Sequence, residues 1–73
     1  MEVYTVENTE RSDGYGFYDI VCANSADSAK NISIIYHGNG EYSVDEFNLE
    51  VNKLEHVSCN SNNSGVISSK YLD

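Results

Sequence analysis

Glu41, Asp45, Glu46, Glu50 and Glu55 put five carboxylates into fifteen residues, with Lys53 the lone opposing charge among them. Carboxylates at that density are suited to holding cations. In an extended strand, alternate residues recur about every 7 Å, on the length scale of the phosphates along a nucleic-acid strand. Glu46 and Glu50 would then share a side with Asn48 and Asn52 and could pair with the Lys/Arg rows of a nucleic-acid channel. The plainer alternative is a solvated face whose acids keep a sheet edge from pairing with other chains.

Tyr4, Tyr15, Tyr18, Tyr36, Tyr42 and Tyr71 are the second chemical group, six tyrosines in a chain with no tryptophan. Tyrosine brings rigid area and a hydroxyl, which suits protein interfaces. A small sheet also needs large side chains to fill its core, so two or three of the six are expected inside. Tyr15, Tyr18 and Tyr42 are expected at the surface. Beside basic residues, such rings would suggest base stacking; beside this much negative charge they point to a protein instead.

His56-Val57-Ser58-Cys59 has the H-x-x-C form of half a zinc site, which Cys22 and His37 could complete. No C-x-x-C accompanies it, and Cys22 reads more simply as a small buried apolar residue. Glu41, Asp45 and Glu46 lack the EF-hand pattern. Cys22, Cys59, His37 and His56 offer nucleophiles and bases, but no nucleophile elbow, P-loop or HExxH frames them. A non-enzymatic protein without a cofactor is the expectation.

The 73 residues suffice for one domain. Twelve acidic against four basic residues give a formal charge of −8, while a hydrophobic fraction of 40% favours a folded core. A field of that sign repels nucleic acid and anionic lipid and steers basic partners. No apolar run approaches the roughly 18 residues needed to span a bilayer. Met1–Glu7 is acidic and alternating, unlike a secretory signal, and two cysteines make a sparse disulfide framework. Reduced thiols in a cytoplasm are expected.

These side chains need elements to position them. Residues 1–8 alternate with β-branched and aromatic character, and so do residues 15–23; Asp13-Gly14 between them is a turn signal. Asn24 or Ser25 can cap a helix over 25–37, with Ala26, Ala29, Ile32 or Ser33, and Tyr36 as its apolar stripe and Gly38 as its stop. Residues 39–58 support two readings. Ser43-Val44-Asp45-Glu46 has the form of a capping box, yet Phe47–Lys53 alternates with period two and Asn48 and Asn52 disfavour a helix interior. A strand is the reading adopted, with a bulge or an early end near Leu54. Residues 59–65 are polar, and Val66–Leu72 is either a short edge strand or a tail. The expectation is an α+β domain over 1–58, ββαβ(β), with one helix on one face of a small antiparallel sheet and a polar loop with an edge strand or tail over 59–73.

The hairpin Met1–Ala23, the strand-to-helix junction Asn24-Ser25-Ala26-Asp27-Ser28-Ala29-Lys30 and the acidic, tyrosine-bearing Glu41–Glu55 segment together resemble small accessory proteins of bacteriophages, including anti-CRISPR-like inhibitors. The resemblance implies a stoichiometric blocker of a bacterial protein, acting in the host cytoplasm. The binding residues expected from the sequence are Glu41, Asp45, Glu46, Glu50 and Glu55 for the field, with Tyr42 and Tyr18 as anchors, against the basic surface of another protein. A self-associating module pairing through Phe47–Val57 or the C-terminal segment is the alternative, and a zinc-stabilised module the third.

Overall fold

The computed structural model describes residues 1–8, 16–38, 49–59 and 63–72. Four strands and one helix follow in the order β1 (Glu2–Asn8), β2 (Gly16–Ala23), α1 (Ala26–Gly38), β3 (Leu49–Ser58) and β4 (Gly65–Leu72). The strands form one antiparallel sheet in the order β3-β1-β2-β4, so the hairpin is central and the two later strands add to its outer sides. The α+β class is as expected. β4 is a full edge strand of eight residues, and β3 is a strand from Leu49 onward; the capping-box candidate Ser43–Glu46 lies outside the described residues.

Alternation sorts each strand into two sides. Tyr4, Val6, Phe17, Val21 and Ala23 face α1 and pack with Ala29, Ile32, Leu49, Val51 and Val66. Ser25 caps the helix: its Oγ accepts from the Ser28 backbone N–H at 3.1 Å, while the Ala29 N–H reaches the Ser25 carbonyl at 3.0 Å. That fixes the phase of the helix and corrects the expected stripe. The buried residues are Ala29, Ser33 and His37, four apart, and Tyr36 is exposed. A spacing of four keeps three residues on one narrow line when a short helix lies across a small sheet, so His37 turns inward where Tyr36 was expected.

β3 carries the expected irregularity near Leu54. Tyr4 pairs with Lys53 but Glu2 with Ser58, so five residues of β3 pass two of β1, an excess of three. The excess takes the end of β3 out of line. Cys22 of β2 and Cys59 after β3 are bonded to each other with Cα atoms 5.9 Å apart. Strands on either side of β1 would lie about 10 Å apart in a flat sheet, so the chain leaving β3 must turn across the start of β1. The expectation of two reduced thiols is overturned. The residues are 37 apart in sequence, and only the pairing of β3 beside the hairpin brings them together. Val3, on the side away from α1 and paired with Cys22, is 0% exposed. No helix among the described residues is long and apolar enough to cross a membrane.

Candidate functional site

The sheet face opposite α1 carries one continuous cross-strand row. Glu50 of β3 lies opposite Glu7 of β1, Glu7 opposite Tyr18 of β2, and Tyr18 opposite Lys70 of β4. Directly opposed side chains in antiparallel strands have Cβ atoms about 5 Å apart. Glu50 and Lys70 are exposed; Glu7 and Tyr18 are half-buried. The Lys70 ammonium sits 5.9 Å from the Tyr18 ring centroid, at the outer limit of a cation–π contact. The row is therefore polarised, with two carboxylates on the β3 side, a tyrosine in the middle and one ammonium on the β4 edge. Asn52, Thr5, Ile20 and Ser68 form the row next to it, a small and mostly polar surface.

The expected binding residues are only partly placed. Glu50 and Tyr18 lie in this row, and Asn52 shares the side of Glu50 as the alternation requires. Glu55 is exposed within the irregular part of β3, between the two registers. Glu41, Tyr42, Asp45, Glu46 and the surface candidate Tyr15 lie outside the described residues. Glu7, unremarked in the sequence, belongs to the row because β3 pairs with β1. The other tyrosines divide unevenly: Tyr4 is in the core, whereas Tyr36 and Tyr71 are exposed.

On the opposite side of the sheet is a group the sequence reading missed. Asp19 is fully buried. The His37 Nε2–H donates to its two carboxylate oxygens at 2.9 and 2.8 Å, and the Ser69 hydroxyl donates to Oδ1 at 2.6 Å. An ionised carboxylate offers acceptors only, which puts the imidazole proton on Nε2. Phe17 stacks on the His37 ring at 3.8 Å between centroids, and Tyr36 and Tyr71 meet it edge-on at 5.0 and 5.7 Å. Position 19 shares its side of β2 with Phe17, Val21 and Ala23. A carboxylate at a core-facing position must find hydrogen-bond donors, and that was the available signal.

The residue types match a Ser–His–Asp triad, but the wiring does not. In nucleophilic catalysis the base nitrogen faces the hydroxyl while the carboxylate holds the other ring nitrogen. Here Nε2 serves the carboxylate, and the serine gives its proton to the carboxylate too; Ser69 Oγ lies 3.5 Å from Nε2. The group joins the C-terminal end of α1 to β2 and to the edge strand β4. Nor does the candidate zinc set converge, because Cys22 and Cys59 are spent on each other and His37 on Asp19. Among the described residues no group of three or more His, Cys, Asp or Glu is placed to hold a metal ion.

Comparison with protein-family models, with curated proteins and with solved structures found no match to this chain, so the reading of its function rests on the geometry above.

Proposed function

We propose that the protein is a non-enzymatic docking module whose sheet face opposite α1 occupies a basic site on another protein. The class this suggests is a stoichiometric blocker of a nucleic-acid-handling protein, such as a host defence component met by a phage. The observation behind the reading is the opposed pair Glu7 and Glu50 beside Tyr18. Like charges directly across a strand pair cost stability, and a partner's Lys or Arg placed between them removes that cost on binding. Tyr18 adds rigid, half-desolvated area of the kind that anchors interfaces. Glu41, Asp45, Glu46 and Glu55 belong to the same reading through their charge, which steers a basic partner and sets its orientation, and Tyr42 as a second anchor.

The test is capture from a bacterial lysate with the wild-type chain and with Glu7→Lys/Glu50→Lys as baits, circular dichroism confirming the fold of both. Basic proteins should be held at about 50 mM salt and released at about 500 mM, as the screening length falls from roughly 14 to 4 Å. The variant should lose them. Equal capture by the variant removes this face from the account. Glu50→Lys alone should raise stability to urea by about 0.5 kcal/mol, because it turns a repulsive cross-strand pair into an attractive one; unchanged or lower stability would mean that the two carboxylates do not repel.

A further inference from the structure

We infer that Tyr36 and Tyr71 form a binding site for a cationic side chain, an arginine guanidinium of another protein, at the C-terminal end of α1. The site lies on the helix side of the sheet, so it is separate from the docking face and does not depend on it. Tyr36 belongs to the last turns of α1. Tyr71 lies directly opposite Phe17, which faces α1, so Tyr71 stands on that side too. The pairs from Gly16–Leu72 to Ile20–Ser68 keep one register, and the irregularity of β4 falls beyond them.

Two tyrosines from different elements thus converge on one imidazole. Their centroids are 5.0 and 5.7 Å from that of His37, which puts them no more than about 11 Å from each other, the sum of the two. A cation interacts with a ring from within about 6 Å of its centroid, so a single cation can reach both. His37 itself is closed off, with 4% of its side chain exposed, whereas Tyr36 and Tyr71 are 52% and 60% exposed. The imidazole therefore spaces the rings and leaves their outer surfaces to a ligand. Single exposed aromatics are ordinary. Two braced against the same buried ring are preorganised, which lowers the cost of ordering them on binding.

Charge selects the occupant. From Asn31 to Gly38 the helix has no Asp, Glu, Lys or Arg. Lys70, the one charged residue of β4, approaches Tyr18 on the other side of the sheet. The field at the two rings is negative: aromatic faces carry negative potential, and the C-terminus of a helix carries a partial negative charge. The Asp19 carboxylate beneath is offset by at most one positive charge on His37. The formal charge of −8 adds the same sign at longer range. An anion is repelled from such a site, and a neutral apolar group gains area alone. A guanidinium gains from both, and its weakly hydrated plane stacks on aromatic faces better than an ammonium does.

The experiment is an NMR titration of the tyrosine ring resonances with a blocked Gly-Gly-Arg-Gly-Gly peptide to about 10 mM, a range that spans a millimolar Kd. The same peptide with citrulline for arginine, close in shape but uncharged, is the comparison. Saturable shifts are expected at Tyr36 and Tyr71, and binding of the citrulline peptide should be at least about fivefold weaker. Tyr36→Leu and Tyr71→Leu should each weaken the arginine peptide about three- to fivefold, the worth of one exposed cation–π contact. Tyr18, whose ring already lies near the Lys70 ammonium, serves as the internal control and should move little. Absence of saturable shifts overturns the inference. So does equal binding of the citrulline peptide, which would mark a merely apolar surface, or an equal response at Tyr18, which would mark diffuse attraction to an acidic chain. Should one leucine variant fail to fold, the other variant and the citrulline comparison decide. Glu7→Lys/Glu50→Lys leaves both rings in place, so failure of this site and failure of the docking face are separately visible.

Discussion

Reducing the Cys22–Cys59 bond should cost the protein most of its stability. The bond closes a loop of 37 residues, and in the chain-entropy description such a cross-link removes about 13 cal/mol/K from the unfolded ensemble, or about 4 kcal/mol at 25 °C. A domain of this size has roughly 5 kcal/mol in total. Its unfolding entropy, at about 2 cal/mol/K per residue, is near 0.15 kcal/mol/K, so a loss of 4 kcal/mol corresponds to about 25 °C in Tm. Little in the native state offsets the loss. The Cys59 sulfur lies 3.2 Å from the Glu2 carbonyl, and a thiol there would donate only a weak hydrogen bond. The assay is thermal unfolding followed by circular dichroism, with and without a phosphine reductant, alongside Cys22→Ala/Cys59→Ala. Alkylation under native, non-reducing conditions counts the thiols. Two reactive thiols in protein prepared without reductant, or a Tm that moves by less than about 5 °C on reduction, would refute the argument that this bond holds the end of β3 across β1.

Two other predictions concern the interior. Asp19→Ala strands the buried His37 and the Ser69 hydroxyl without their shared acceptor and should destabilise by about 3 kcal/mol; a double-mutant cycle with His37→Ala should show the two losses to be far from additive, and additive losses would mean that the pair is not coupled. Ser33 is fully buried, and its hydroxyl has no hydrogen-bond partner among the described residues. Ser33→Ala should therefore raise stability by about 0.5 kcal/mol through helix propensity and relieved desolvation, or about 3 °C in Tm, and a clear fall would show that the hydroxyl is satisfied.

Much of the fold was legible because the local signals agreed with one another. Alternation in Val3–Val6 and Phe17–Ala23 reflects strands with one side against a helix, and Ser25 before Ala26 is a cap whose geometry is set within four residues. The expected helix stripe fails at both ends, since Ala26 and Tyr36 are exposed, and at Tyr36 the reason is physical. Tyr36 is larger and more apolar than His37, so a reading from hydropathy turns it inward. What turns His37 inward is Asp19, eighteen positions before it and on another element, and no local pattern in the helix contains that information. The candidate site was legible in part for the same reason: Glu50 and Tyr18 were visible as an acid and an aromatic, but Glu7 joined them only when β3 was laid beside β1.

The sequence by itself determined the element types from Glu2 to Gly38 and a strand at Leu49–Lys53, because each follows from the period of apolar residues over a few positions. It also determined the sign of the molecule's field, which depends on composition alone. Tertiary structure decided three things: that Cys22 meets Cys59, that Asp19 shares its carboxylate between His37 and Ser69, and that Glu50, Glu7, Tyr18 and Lys70 fall in one row. Each joins residues from different elements through strand order and register, and those are fixed by how the whole sheet buries its two sides.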